Sequence, residues 1–196
     1  TLFEQELSKF TGAPHAIAVV NGTTALHLAL VAIGVKPGDE VIVPALSFVA
    51  TANAVAHAGA TPHFVDVGEE TWGLDPVALQ NYLATVGRNV GGRLLNSETG
   101  RPITAIVPMH TLGHPANMQG IKGVAEEYGL SIVEDAAESL GSMIGDTHTG
   151  LFGRVGIFSF NGNKTITTGG GGALVTSDPE LANHIRHLST TARIPH

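Results

Sequence analysis

The sequence predicts an α/β protein in which a seven-stranded, mostly parallel sheet is covered by helices on both faces. Short apolar runs rich in β-branched residues recur along the chain, and helical patterns fall between most of them. Alternation of this kind is typical of parallel strands joined by right-handed crossovers. The predicted strands are residues 17–20, 41–44, 61–67, 105–110, 131–135, 156–160 and 173–176.

Helix start and stop signals separate these strands. A short polar side chain ahead of a helix can accept a hydrogen bond from a free N–H of the first turn, and proline suits the first helical position. Glycine after the last turn favours termination. The predicted helices are residues 23–33 between Asn21 and Gly34, residues 120–128 before Gly129, the segments opened by Asp75-Pro76 and Asp178-Pro179, and an opening segment with Phe3, Leu7 and Phe10 at helical spacing.

Residues 87–102 interrupt this rhythm. The segment is polar and glycine-rich, and neither the strand period nor the helix period continues through it. We predict an exposed loop or a short excursion here rather than a linker between domains.

Composition excludes several classes of protein. The chain has 196 residues with 43% hydrophobic and 14% charged residues, which suits one sizeable core. Its formal net charge of -7 and scattered lysines and arginines offer no basic stripe for nucleic acid. Without cysteine there is no disulfide or thiolate site, which is compatible with a reducing cytoplasm. We expect no signal peptide and no membrane-spanning run.

Lys164 is the most informative residue of the sequence. It lies in SFNGNKTITTGGGGALV, residues 159–175, after a short apolar strand and before the glycines 169–172. Glycines let the backbone approach a bulky ligand, and a lysine at such a corner suits an amine that forms a Schiff base with an aldehyde cofactor. The alternative is a solvated surface lysine.

Other chemically suited residues fall at the same edge of the predicted sheet. Ligands of open α/β sheets bind beyond the carboxyl ends of the strands, where loops and helix N-termini converge. Independent surface residues are not expected to cluster there, so the coincidence favours one common site. The residues that follow or close predicted strands are Phe48, His110, Asp135, Ser159 and Lys164.

Competing motifs fail on inspection. Gly162-Asn163-Lys164-Thr165 departs from a phosphate-binding P-loop because asparagine separates the glycine from the lysine. His110 and His114 flank Gly113 and precede Pro115, so a shared helical face for zinc is not expected. The sequence also lacks the Gly-x-Ser-x-Gly elbow of serine hydrolases.

Four motifs in order carry a family resemblance: VNGTTALHLAL, PGDEVIVPALSFVATANAV, VEDAAESLGS and FSFNGNKTITTGGGGALVT. The chain resembles the sugar aminotransferases of the DegT/DnrJ/EryC1/StrS family, which are fold-type I pyridoxal-phosphate enzymes, from about Phe3 to its last residue. NGNKTITTGGGG with EDAAES is most similar to the branch that aminates carbon 4 of nucleotide-linked 4-keto-6-deoxy sugars, on routes to bacillosamine, legionaminic acid or perosamine.

The resemblance implies two catalytic residues. Lys164 matches the lysine that forms the Schiff base with pyridoxal 5'-phosphate and later moves a proton between substrate and cofactor. Asp135 matches the carboxylate that keeps the pyridine nitrogen protonated. From the residues alone, Asp135 could equally be a helix cap.

The remaining cofactor contacts are also implied by the resemblance. Thr23 and Thr24 begin a helix whose N-terminus favours a phosphate, although ordinary capping explains threonine there as well. Ser159 matches a phosphate ligand, and Phe48 matches the aromatic stacked on the ring, with core packing as its alternative. Glu138 replaces the glutamine or histidine that many relatives carry near the phenolic oxygen. His110 could approach the cofactor or sugar, or could be a structural histidine.

The implied function is transfer of an amino group, usually from glutamate, to a nucleotide-linked keto sugar for cell-surface polysaccharide or glycan biosynthesis. A keto-cyclitol acceptor and a non-catalytic, cofactor- or sugar-binding regulator are the alternatives, and Lys164 and Asp135 count against the regulator. Lys164 also counts against the family's dehydratase branch, where histidine replaces the lysine. The resemblance further implies a homodimer with shared active sites, and we expect a cytoplasmic location, with which the lack of cysteine is compatible.

We expect residues 1–196 to be the large cofactor-binding domain. Family members continue for roughly another domain's length, so the chain is expected to be truncated before the small C-terminal domain. The fragment alone is then expected to be poorly active or inactive.

Overall fold

The computed structural model describes residues 1–190 and Ala192, and it confirms the seven-stranded, mostly parallel sheet. The strand order is β1-β11-β10-β7-β6-β2-β3. The strands of this sheet are β1 His15–Val19, β2 Glu40–Pro44, β3 Thr61–Val65, β6 Ile103–Ile106, β7 Ser131–Asp135, β10 Val155–Ser159 and β11 Gly172–Thr176.

Six of the seven strands point in the same direction, and the exception is β11, which is second from one edge of the sheet. β11 pairs antiparallel with both β1 and β10, whereas β10-β7, β7-β6, β6-β2 and β2-β3 are parallel pairs. Strands β2, β10 and β11 are buried at every position, as expected where helices cover both faces of a sheet. The register of β10 on β7 places Ile157 opposite Asp135. The loop that follows β10 therefore starts beside the end of β7.

Helices cover both faces of the sheet, and local sequence explains where most of them begin. The side chains of Asn21, Asp75 and Asp178 each accept a hydrogen bond from a backbone N–H in the first turn, as predicted. Thr1 and Glu4 form a capping box at the first helix. The helices are α1 Leu2–Thr11, α2 Gly22–Ala32, α3 Val49–His57, α4 Pro76–Val86, α5 Met118–Tyr128 and α6 Pro179–Leu188.

Two layers of core lie on opposite faces of the sheet. Alternate residues of β2 show this directly, because Val41 and Val43 pack with Leu30 of α2 while Ile42 packs with Leu83 of α4. In the described part of the chain, no helix combines the length and apolarity that crossing a bilayer requires.

The structure corrects three sequence expectations. The predicted strand 105–110 is Ile103–Ile106 instead, because Pro108 cannot donate to a ladder, and His110 lies beyond the strand end. Part of the predicted loop 87–102 forms an antiparallel hairpin, β4 Gly87–Val90 with β5 Arg93–Asn96. The sequence reading also missed α3 and a short pair, β8 Met143–Ile144 with β9 Thr147–His148.

Gly156 is a position in β10 where the fold requires glycine. A Cβ atom there would overlap the carbonyl oxygen of Gly150, which is backbone and cannot rotate away. We expect Gly156→Ala to lower the free energy of unfolding by about 3 kcal/mol, as for overpacked cores, in chemical denaturation of the protein. In the matched control Gly123→Ala, nothing lies within 4 Å of the added atom. That change within α5 should stabilise the protein by ~0.5 to 1 kcal/mol. Equal stability of the two variants would contradict the close approach of Gly150.

Candidate active site

A cavity of about 230 Å³ lies at the carboxyl edge of the sheet, where the sequence placed the site. It is bounded by the start of α2, the start of α3, the end of β7 and the loop after β10. Its lining residues are Asn21, Gly22, Thr23, Leu26, Phe48, Ala50, Met109, Asp135, Ala137, Glu138, Ser159, Asn161, Asn163 and Lys164.

Lys164 extends into this cavity from the loop between β10 and β11. Its side chain is only 7% exposed, which disagrees with the reading of a solvated surface lysine. The ammonium Nζ lies 3.1 Å from Oε1 of Glu138 and 4.9 Å from the centre of the Phe48 ring. The amine is therefore held between a carboxylate and an aromatic face, inside the cavity rather than in solvent.

Asp135 closes β7 and is 2% exposed. Its Oδ2 accepts a hydrogen bond from the Thr51 hydroxyl at 2.6 Å, and its Oδ1 accepts one from the Ala137 amide at 3.2 Å. Burial raises the pKa of this carboxyl, while these two bonds and the charge of Lys164 act in the opposite direction. Residues 136–142 consist of turns and irregular backbone, so Asp135 does not cap a helix.

The N-terminus of α2 forms another wall. A Cβ atom on Gly22 would lie 2.9 Å from Cβ of Ser159, so glycine is what lets this helix start approach β10 so closely. Thr23 and Ser159 line the cavity together, at the positive end of the helix dipole. Thr24 does not join them. It is exposed, its amide is bonded to Oδ1 of Asn21, and it lines a neighbouring groove.

Phe48 is the residue that precedes α3, and its side chain is not part of the core. It is 48% exposed and lines the cavity. Its amide donates a hydrogen bond to the sulfur of Met109 at 3.3 Å. The aromatic face is therefore available to a ligand in the cavity, as the resemblance implies.

Glu138 accepts two hydrogen bonds from different elements. Its Oε1 faces Lys164, and its Oε2 accepts the Leu112 amide at 3.0 Å. Leu112 has a left-handed backbone with φ 53°, which leucine rarely adopts. The turn after His110 thus contributes to placing the carboxylate beside the lysine.

His110 is fully buried and does not line the cavity. The Ala116 amide donates to its Nδ1 at 3.1 Å, so the ring proton lies on Nε2 and points at Oε2 of Glu134, 3.1 Å away. Glu134 also accepts the amides of Gly150, Phe152 and Gly153. This geometry favours the structural reading of His110, and it commits Glu134 to holding the loop before β10.

Sequence reasoning missed several residues of the site. Asn161, Asn163 and Met109 line the cavity, and Thr51 bonds to Asp135 from α3. The two asparagines are adjacent to Lys164 in the quoted motif and could have been found there. Thr51 and Met109 carry no local signal, because their partners are distant in sequence.

A carboxylate closes β7, and a lysine follows the neighbouring β10 at the same edge of the sheet. With this strand order, the chain has the fold of pyridoxal-phosphate-dependent aminotransferases. The chain belongs to the DegT/DnrJ/EryC1/StrS aminotransferase family, whose sequence profile matches residues 1–194. The resemblance seen in the four motifs is thereby confirmed.

Individual relatives agree in sequence and in structure. GDP-perosamine synthase of Caulobacter vibrioides is 44% identical over 186 residues, which cover 95% of this chain and 46% of that protein. A crystal structure of a DegT DnrJ EryC1 StrS aminotransferase from Brucella abortus is 38% identical, with a TM-score of 0.86 over 95% of this chain and 48% of that one. NtdA of Bacillus subtilis, solved with bound cofactor PMP, is 32% identical, with a TM-score of 0.78 over 96% of this chain and 39% of that one. The chain spans about half the length of the curated relatives it matches.

Proposed function

We propose that the intact protein is a pyridoxal-phosphate-dependent aminotransferase in which Lys164 binds the cofactor covalently. The observation that carries this proposal is the meeting, in one cavity, of a shielded amine and a buried carboxylate beside an exposed aromatic face. Residues 1–196 would be its large cofactor-binding domain, of which residues 191 and 193–196 lie outside the described part.

The donor set fits pyridoxal phosphate group by group. Lys164 would hold the aldehyde carbon, Phe48 the ring face and Asp135 the pyridine nitrogen. Thr23 and Ser159, with the first turn of α2, would hold the phosphate. When bound, the cofactor supplies an electron sink for the carbon that gains or loses nitrogen.

The chain's own residues then divide the remaining tasks. Lys164 is the base that carries a proton at Nζ, a transfer typically worth ~10² to 10⁴ in rate. Asp135, with its carboxylate ionised, keeps a positive charge on the nitrogen it faces. Glu138, at 3.1 Å, holds the lysine amine in place, and the Phe48 ring lies 4.9 Å from the same amine.

The proposed acceptor is a nucleotide-linked 4-keto-6-deoxy sugar, aminated at carbon 4 with glutamate as donor, for polysaccharide or glycan biosynthesis. Support comes from the similarity to GDP-perosamine synthase and from the EDAAES and NGNKTITTGGGG motifs. A keto-cyclitol acceptor within the same family is the second candidate, and a cofactor- or sugar-binding regulator is the third.

We further propose a cytoplasmic homodimer whose subunits complete each other's sites. Support comes from large apolar side chains exposed in the loops that bound the cavity, namely Leu46, Leu112 and Ile166 at 47%, 76% and 55%. A second copy covering them would exclude water from the lysine.

The test uses the intact protein with glutamate, pyridoxal phosphate and purified acceptors. We expect transfer to carbon 4 of a UDP- or GDP-linked 4-keto-6-deoxy sugar, a borohydride-reduced cofactor on Lys164, and a dimeric mass by light scattering. Transfer confined to keto-cyclitols would establish the second candidate. Cofactor binding without any amine transfer would favour the regulator, and a fully active monomer would overturn the shared site.

A further inference from the structure

Thr51 is a buried threonine whose hydroxyl is turned toward the site from outside the cavity. It lies in the first turn of α3, is 0% exposed, and places Oγ1 2.6 Å from Oδ2 of Asp135. The sulfur of Met109, at 3.9 Å, is the only other acceptor that the described residues offer this hydroxyl. A charged oxygen at 2.6 Å is much the stronger acceptor, so the hydroxyl proton points at the carboxylate.

We propose that Thr51 is a positioning residue that fixes the orientation and the ionised state of Asp135 toward the pyridine nitrogen of the cofactor. This inference rests on the proposed function, because it gives Asp135 a ligand. It assigns Thr51 a role that acts through another side chain and not through contact with substrate.

The hydrogen bonds of Asp135 show how its orientation is set. The Ala137 amide donates to Oδ1 and the Thr51 hydroxyl donates to Oδ2, so each oxygen has one donor of fixed position. Rotation about the Cβ–Cγ bond would break both. Each oxygen keeps a further lone pair, and the residue lines the cavity. The carboxylate is thus presented in one plane.

The ionised state of Asp135 depends on the same bond. Burial raises the pKa of the carboxyl, and the bond from Thr51 is the leading influence that lowers it. The charged or titratable groups facing Asp135 are Lys164, from the loop after β10, and His110, from the turn after β6. A protonated Asp135 could not keep a positive charge on the pyridine nitrogen, so loss of the Thr51 hydroxyl should impair that pairing.

The first turn of α3 places Phe48 as well as the Thr51 hydroxyl. The Thr51 amide donates to the carbonyl oxygen of Phe48 at 3.0 Å, which closes the first turn of the helix. One helical turn therefore sets both the aromatic that would face the ring and the hydroxyl that orients its carboxylate partner. Aspartate and threonine are 84 positions apart in sequence, and α3 is the element that brings them together.

The experiment compares Thr51→Val, Thr51→Ala and Thr51→Ser in the intact protein. Valine keeps the shape without the hydroxyl, alanine avoids a methyl group against the carboxylate, and serine restores the hydroxyl. The matched control is Thr176→Val, which removes a buried hydroxyl bonded to the Arg154 carbonyl at 2.7 Å, away from the cavity. The probe is pyridoxal phosphate labelled with nitrogen-15 in its ring. Two quantities are measured: its dissociation constant and the chemical shift of the ring nitrogen.

We expect valine and alanine to weaken binding roughly 10- to 100-fold, the equilibrium equivalent of one hydrogen bond to an ionised group. Both should also move the ring nitrogen signal toward that of the unprotonated form. Serine and the Thr176→Val control should behave as the wild type. An unchanged ring signal in valine and alanine, or a failure of serine to restore it, would overturn the positioning role. If the wild-type protein itself bound no pyridoxal phosphate, the proposed function would fail instead, so the two failures are distinguishable.

Discussion

Lys164→Ala in the intact protein is expected to abolish the borohydride-stable adduct with pyridoxal phosphate and to reduce amine transfer by at least ~10² to 10⁴-fold. The reason is that the sequence has four lysines, and the other three, Lys9, Lys36 and Lys122, do not line the cavity. The adduct is located by mass spectrometry of peptides after reduction, and transfer is followed with glutamate and the keto sugar.

Two controls separate chemistry from structure in this experiment. Lys164→Arg keeps a positive charge opposite Glu138 but cannot form the imine bond, so it should be as inactive as alanine. Lys122→Ala removes an exposed lysine of α5 and should leave both the adduct and the rate unchanged. A reduced adduct on any lysine other than Lys164 would refute the assignment.

Asp135→Asn is expected to have the second largest effect. The substitution keeps the size of the side chain but removes the charge opposite the pyridine nitrogen, so transfer should fall steeply while the fold persists. Amine transfer is measured with the same donor and acceptor, and the fold is checked by circular dichroism. Near-normal transfer would show that another carboxylate serves the ring. Glu134 is the next candidate by sequence, although it already accepts hydrogen bonds from three loop amides and from His110.

The same variant should be more stable than the wild type without cofactor, and increasingly so as the pH rises. Burial raises the pKa of the Asp135 carboxyl, so folding disfavours its ionised form. Its contribution to stability is therefore present below the ordinary pKa of an aspartate and is lost as the pH rises through the folded-state value. Thermal unfolding of the cofactor-free proteins at about pH 5 and pH 8 would show whether the difference grows. A difference that shrinks at the higher pH would contradict a raised pKa.

The sheet could be predicted because its strands are short apolar runs that are buried on both faces. The elements that the sequence did not predict are α3 and the β4-β5 hairpin, and each has a physical reason. α3 reads VATANAVAH, whose small residues pack against α2 without a strong amphipathic period, so the helix has little signal of its own. The β4-β5 hairpin is polar, and its two strands pair at only four positions. Composition alone does not reveal so short a pairing.

The candidate site was predicted to the extent that its residues sit at strand ends or helix starts. Lys164, Asp135, Ser159 and Phe48 meet that description and line one cavity. The Thr24 side chain lines a neighbouring groove instead, because a helix turns successive side chains about 100° apart. Thr51 could not be found from sequence, since its importance comes from a single contact across the fold.

The position of β11 has a consequence for how the protein is made. β1 pairs with β11, and Asn21 just after β1 bridges to Gly171 just before β11, so the slot beside β10 fills only when residues 171–176 have left the ribosome. Contacts so distant in sequence form late. Lys164 is synthesised only a few residues before β11, whereas α2 is synthesised much earlier. The seventh strand, and with it the complete edge of the sheet at the site, is therefore in place only after Lys164 has itself been synthesised.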